Sequence, residues 1–564
     1  MIIRIIVVAT LGCLAHAISP NLLRLGPQGV NLWKLNQLHG SGSHKSRYDE
    51  LSAQDASGQQ PLGHVRDNKP EFTAYWFEQP LDHFGNSTND TFMQRYWINT
   101  RHYQPGTAVV FLLDGGETNG EARLRGSIDR IPFLDTGIME ILARATGGLG
   151  VVLEHRYYGE SIATKNLTTD SLRFLNNAQS AADSANFMAN VQFPDIKENL
   201  TAPGTPWIYY GGSYAGARAA HMRVLYPELV YGAIASSAVT HAAIINWEYM
   251  DIIRRYADPT CSTHLQKSIG TIDSILDRRV LSTPLKALFG VHGLKHDVDF
   301  VSLIESPLGS WQAKVWDPKV GSTNFDEFCA ALNKPLGHKN PGVTLLEHGH
   351  PDRMLSLPGG LKVDLAIVNY GTWIKEHVVS KCPEGFSHEE CFGTFDDAHY
   401  KDTSLSEIWR LWLFQVCTEW GYFTTAPPDP TFPRIISKRI DLEYESKMCR
   451  QAYDPGEHFT VSPLPNVTVV NELGDFDIAM DRLAFIDGEV DPWRPDTPHS
   501  DYANEREDTM LRPFKIIPNG VHHYDEYGLK NLEDEPPEIR NIHEEMIAFV
   551  REWLKDWKTD KQDQ

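Results

Sequence analysis

The chain has 564 residues, more than a single minimal domain requires, and its 41% hydrophobic and 22% charged residues describe a globular composition rather than bulk disorder. A formal net charge of −22 opposes binding to nucleic acid or to an anionic lipid surface, both of which depend on clustered Lys and Arg. An acidic surface also suits an acidic compartment, where partial protonation relieves self-repulsion.

Taken in chain order, Arg4 precedes an apolar run from Ile5 to Leu14, and Ala15-His16-Ala17 supplies a small-x-small cleavage site. The run is shorter than the roughly 20 apolar residues a membrane span needs. No later stretch qualifies, so residues 1–17 read as a signal peptide cleaved before Ile18, and no membrane partner is expected. Residues 18–70, polar and rich in Ser and Gly between Gly40 and Gly58, read as a flexible leader.

Two further features agree with export. Without Cys13, six cysteines remain: Cys261, Cys329, Cys382, Cys391, Cys417 and Cys449. An even count in an exported chain implies three disulfides, with 15 pairings open. Five Asn-x-Ser/Thr acceptors occur, at Asn86, Asn89, Asn166, Asn199 and Asn466, so the chain is expected to be a glycoprotein.

From residue 108 short apolar runs alternate with helical patterns, the signature of a parallel sheet. Val109–Leu113, Val151–Leu153, Trp207–Tyr210 and Gly232–Ala235 read as buried strands, as do Leu483–Ile486 and Phe514–Ile517 much later. A closing helix carries the apolar stripe Ile542, Met546, Phe549, Val550 and Trp553. Between the two sets of strands lie all six cysteines, a helical stripe at Leu265, Ile269, Ile272 and Leu276, and an aromatic stretch from Trp409 to Phe423 that reads mainly as core. The expected organisation is a hydrolase domain in two parts, 71–240 and 450–564, interrupted by a disulfide-bonded cap at 241–449.

Gly211-Gly212-Ser213-Tyr214-Ala215-Gly216 joins a β-rich run to a helical one, the setting of a nucleophile elbow. A Gly-Gly-Ser string alone is usually just a turn; order and context add the weight. Asp491 follows the Leu483–Ile486 strand and His522 follows the Phe514–Ile517 strand, giving the Ser, acid, His order of the α/β-hydrolase triad. The expected roles are Ser213 as nucleophile, His522 as base and then acid, and Asp491 as orienting carboxylate. His523, Asp487 and Asp496 are rivals close in sequence and read as structural or surface groups. Tyr214 N–H and Gly116 N–H are the expected oxyanion donors, although the Gly115-Gly116-Glu117 segment reads equally well as an ordinary strand-end turn. No metal-ligand spacing, dinucleotide fingerprint or P-loop is present, so no cofactor is expected.

The chain also resembles the lysosomal Pro-Xaa serine peptidases, the group of prolyl carboxypeptidase, dipeptidyl peptidase II and fungal acid prolyl endopeptidases. The resemblance rests on Gln79-Pro80-Leu81-Asp82-His83-Phe84, Gln94-Arg95-Tyr96-Trp97, Glu154-His155-Arg156-Tyr157-Tyr158-Gly159-Glu160-Ser161, Gly211-Gly212-Ser213-Tyr214 and Asp491-Pro492-Trp493, and spans roughly residues 70 to 555. It implies the same triad, a mainly helical cap, peptide substrates cut after proline, an acidic working pH and a vacuolar, lysosomal or secreted destination. Ala215 near the elbow, and the missing Gly after Glu117-Thr118, depart from the usual pattern and bear on fine specificity. Sequence proximity together with the resemblance favours the pairs Cys417–Cys449, Cys382–Cys391 and Cys261–Cys329. A proline slot walled by Trp493 on one side and by Trp420 and Tyr422 on the other is expected. His83, His155 and Arg156 read as buried scaffold. Exo- or endopeptidase action and a possible homodimer are left open, and a lipase or carboxylesterase on the same fold, or a binding glycoprotein, are the competing readings.

Overall fold

Six apolar runs and an antiparallel pair that the sequence pattern did not isolate assemble into one eight-stranded sheet. The computed structural model describes residues 72–562 apart from 86–87, 107–108, 125–132 and most of 336–361, where the short strands Thr344–Leu345 and Met354–Ser356 are placed. The signal peptide, the leader and Asn86 lie outside the described residues.

The strands are β1 (Ala74–Pro80), β2 (Thr91–Asn99), β3 (Val110–Asp114), β4 (Leu149–Leu153), β5 (Trp207–Gly212), β6 (Gly232–Ser236), β7 (Leu483–Gly488) and β8 (Phe514–Ile517), in the order β1-β2-β4-β3-β5-β6-β7-β8. β1 and β2 run antiparallel to their neighbours and every other pairing is parallel. This is the α/β-hydrolase fold. Parallel strands covered on both faces must be apolar throughout, which is why β3 to β7 are buried at every position and legible as continuous runs. β1 is an edge strand with alternating exposure, a weaker signal.

Alternate residues of each strand serve two separate cores. Phe111, Leu113, Ile208, Tyr210 and Ile486 pack with α1 (Ile138–Thr146) and the closing helix, while Val110, Leu112, Tyr209 and Phe485 pack with α2 (Asn177–Asn190) and α3 (Tyr214–Leu225). The closing helix, Pro537–Gln562, buries the expected stripe of Ile542, Met546, Phe549, Val550 and Trp553. The chain leaves the sheet at Ser236 and returns at Leu483, and the intervening part is mainly helical. It includes α4 (Pro259–Leu276) and α5 (Leu365–His377), which share a core with Phe328 and Trp493, and α6 (Trp409–Gln415) and α7 (Leu442–Ala452), whose buried residues pack chiefly with Tyr157, Tyr158 and Leu172. Asp258 caps α4 by accepting from the N–H groups of Thr260 and Cys261.

Three disulfides tie this cap. Cys261–Cys329 joins α4 to the helix Asn324–Asn333, Cys417–Cys449 joins the turn after α6 to α7, and Cys382–Cys391 closes a short loop. Among the described residues no helix is long and apolar enough to cross a membrane.

Candidate active site

Strand β5 delivers Ser213 onto a turn that only tight packing can hold. Its φ of 59° and ψ of −124° lie in a strained region costing on the order of 1–3 kcal/mol. The neighbouring glycines explain how the turn is held. A Cβ on Gly211 would lie 1.9 Å from the Ala215 carbonyl oxygen, and one on Gly216 would lie 2.5 Å from the Ser236 carbonyl oxygen. Strand and helix therefore approach closer than any side chain permits, and the serine hydroxyl is thrust out at their junction.

Loops after β7 and β8 meet it there. His522 Nε2 lies 2.9 Å from Ser213 Oγ, and His522 Nδ1 lies 2.8 Å from Asp491 Oδ2. An ionised carboxylate only accepts, so the proton sits on Nδ1 and Nε2 is left to receive the serine proton. The other Asp491 oxygen accepts the Trp493 backbone N–H at 2.9 Å, which fixes the carboxylate. All three side chains are buried, with Asp491 0% exposed.

The rivals close in sequence are engaged elsewhere. His523 turns its Nδ1 to Glu526 Oε2 at 2.6 Å, and Asp487 Oδ2 lies 2.6 Å from His499 Nδ1. Asp496 is buried, and its carboxyl is held well above the usual range by that burial and then by Glu248 and Asp491.

Tyr214 opens α3, so its N–H belongs to the group a helix leaves without an intrahelical acceptor, directly after Ser213. Gly116 differs from expectation. Its N–H donates to Asp114 Oδ1 at 2.9 Å in a local side-chain turn, so it is not free to receive an oxyanion in this structure. Asp114 also accepts from Arg218 Nε and from the Tyr209 hydroxyl, each at 2.6 Å. Burial alone would raise the Asp114 pKa; Arg218 and the other donors outweigh it, so the carboxyl stays low and ionised. Asp-x-Gly after a buried strand was a readable sign of such a turn.

The three aromatics expected at the substrate separate into two roles. The Trp493 ring centroid lies 6.2 Å from that of His522, and the ring meets Tyr422 and Tyr249 edge-on at 5.3 and 5.2 Å. Its indole N–H donates to Gln312 Oε1 at 2.8 Å, an anchor the sequence reading missed. Trp420 is corrected: it is 0% exposed, packs edge-on against Tyr214 at 5.0 Å and stacks on His221, so it has no face to offer a substrate.

The motif residues outside the triad build scaffold. Asp183 accepts from Arg156 Nε at 2.6 Å and Nη2 at 2.8 Å, and lies 2.7 Å from His83 Nε2, joining two distant motifs at one buried carboxylate. Glu154 receives Arg95 and the Ser161 hydroxyl in the same manner. Asn89, Asn166, Asn199 and Asn466 are exposed, and Asn199 Oδ1 already accepts from the Thr201 hydroxyl of its own triplet.

The model of the family described as serine carboxypeptidase S28 matches residues 79–299 and 369–546, most of the chain. The chain belongs to the serine carboxypeptidase S28 family. This S28 peptidase is 37% identical over 526 residues to a probable extracellular serine carboxypeptidase of Arthroderma benhamiae, covering 90% of this chain and 71% of the relative. It is 27% identical to the thymus-specific serine protease of Homo sapiens, covering 96% and 97%, and 25% identical to the lysosomal Pro-X carboxypeptidase of Mus musculus, covering 87% and 91%. The chain is therefore a serine peptidase. The two matched segments flank residues 300–368, and Ser213, Asp491 and His522 fall inside them.

Proposed function

We propose that this S28 peptidase is exported and cleaves peptides after proline, with Ser213 as nucleophile, His522 as general base and acid, and Asp491 as the group that orients the imidazole. The observation that carries the reading is the continuous hydrogen-bond chain Ser213–His522–Asp491 at 2.9 and 2.8 Å. As Ser213 Oγ attacks the carbonyl carbon, its proton passes to His522 Nε2, and Asp491 stabilises the imidazolium. The oxyanion that forms is met by Tyr214 N–H. Collapse breaks the peptide bond, His522 protonates the leaving amine, and an acyl-enzyme on Ser213 remains for water to hydrolyse by the reverse proton path.

Proline preference is supported by Trp493, a broad apolar ring next to the base with its orientation fixed by Gln312. The name of the Mus musculus relative points the same way, and that of the Arthroderma benhamiae relative favours release of a C-terminal residue outside the cell. An acidic working environment is supported by buried carboxyls with raised pKa: Glu419 to about 7 and Glu445 to about 8, both chiefly through burial. A cleavage profile on a mixed peptide library at acidic and neutral pH, run beside Ser213→Ala and short acyl esters, tests the reading. Faster turnover of the esters would favour an esterase on this fold instead.

A further inference from the structure

One residue past Ser213, the Tyr214 phenol sits at the centre of a buried hydrogen-bond chain with a fixed direction. His155 Nδ1 lies 2.9 Å from the Arg156 carbonyl, which only accepts, so the ring proton is on Nδ1 and Nε2 is an acceptor. Tyr214 Oη, 3.0 Å away, donates to that Nε2. The same oxygen accepts from Gln415 Nε2 at 2.7 Å, and Gln415 Oε1 accepts from the Tyr158 hydroxyl at 2.7 Å. Burial, reinforced by the nearby Arg218 guanidinium, pulls the His155 pKa down to about 4, which keeps the ring a neutral acceptor in moderately acidic surroundings.

Gln415 belongs to the cap. It ends α6, and the π-helical turn that follows, Val416–Trp420, is fastened to α7 by Cys417–Cys449. From the same stretch Trp412 and Trp420 meet the Tyr214 ring edge-on at 5.3 and 5.0 Å. Three cap side chains thus converge on the residue that directly follows Ser213 and opens α3. A π turn interrupts regular helix and recurs where a side chain must be aimed.

We propose that Tyr214 is the strut through which the disulfide-pinned cap turn sets the nucleophile elbow, with Gln415 and His155 as positioning residues for the Ser213 hydroxyl and the Tyr214 N–H. This role presupposes Ser213 as the nucleophile. Because every donor in the chain has one acceptor, removing the phenol oxygen or the amide leaves buried polar atoms unpaired, and the elbow relaxes from the geometry that favours the tetrahedral state.

The test compares kcat, KM and the affinity of a peptide boronic acid, which forms a tetrahedral adduct on the nucleophile, in wild type, Tyr214→Phe, Gln415→Met and Gln415→Glu. Tyr214→Phe and Gln415→Met should lower kcat about 10- to 100-fold. KM should stay within about twofold, and the boronate should weaken by the factor lost in kcat. Gln415→Glu can donate to Tyr214 only when protonated, so its kcat relative to wild type should recover as pH is lowered, in one and the same folded protein. The ionisable groups around that position are Tyr214, His155, Tyr158, Tyr453, Arg218, Asp114, Asp183, Glu117 and Glu419. Wild-type kcat in Tyr214→Phe, or a ratio of Gln415→Glu to wild type that is constant with pH, would overturn the proposal. Failure of a fluorophosphonate to label Ser213 in the wild-type protein would instead remove the nucleophile assignment.

Discussion

Gln312, on a cap turn, accepts the indole N–H of Trp493 at 2.8 Å, so a side chain 181 residues away in sequence fixes the ring beside His522. The Tyr249 hydroxyl lies 3.1 Å from the same Gln312 oxygen, which leaves the amide little freedom to turn.

The proposed proline preference should therefore depend on Trp493. Pyrrolidine is compact, apolar and rigid, and a flat indole face suits it. Trp493→Ala should lower kcat/KM for proline reporters by about 1–3 kcal/mol and harm alanine reporters less, since alanine fills less of the slot. Paired kinetics with circular dichroism as a folding control measure this. Equal losses on both substrates would show that the Trp493 ring supports His522, against which it packs, rather than reading proline.

The neighbouring histidines should separate cleanly. Ser213→Ala and His522→Ala are each expected to remove about 10⁶ in kcat, by analogy with the triad of subtilisin. The His523 ring pairs with buried Glu526, so His523→Ala, which leaves that carboxylate short of a partner, should act on stability, by about 1–3 kcal/mol. Turnover assays and thermal melts on the same variants decide. A dead His523→Ala beside an active His522→Ala would reverse the assignment.

Stability should favour acid over neutral pH. Burial lifts Glu445 to about 8, and burial together with the Glu445 carboxylate holds Glu305 well above the usual range. A carboxyl whose folded pKa exceeds its unfolded value contributes stability that is present below the unfolded pKa and lost as pH rises through the folded one. The window therefore runs from about 4.5 to about 8, and Tm should fall across it. Glu445→Gln should flatten that slope. The opposite sign applies to Asp183, where burial raises the pKa but Arg156 and His83 lower it further, so its contribution disappears at still lower pH. A Tm that rises toward neutrality would contradict this account.

Cys417–Cys449 closes a loop of 32 residues, and the chain-entropy relation gives about 3–4 kcal/mol for its constraint on the unfolded chain. Cys417→Ser with Cys449→Ser should lower stability by that order in denaturant melts. The Cys382–Cys391 loop is only 9 residues, so its removal should cost less. Equal losses from the two pairs would point to native-state strain rather than loop entropy.

How much of this was legible in the sequence depends on the range over which each feature is encoded. β3 to β7 stood out because strands covered on both faces must be apolar at every position, and the elbow stood out because only small residues let β5 and α3 pass so closely. The order of Ser213, Asp491 and His522 along the chain reflects where loops leave successive parallel strands. The β1–β2 pair was lost because β1 is a half-exposed edge strand and β2 buries Gln94, Arg95 and Asn99, which break its apolar run. What the tertiary structure alone decided are the contacts between distant residues: that His523 turns to Glu526, that Gly116 spends its N–H on Asp114, that Trp420 is sealed behind Tyr214, and that Gln312 and Gln415 reach in from the cap. No local pattern marks a glutamine that hydrogen-bonds across 201 positions, because its partner is chosen by how the cap settles on the sheet and not by its neighbours in the chain.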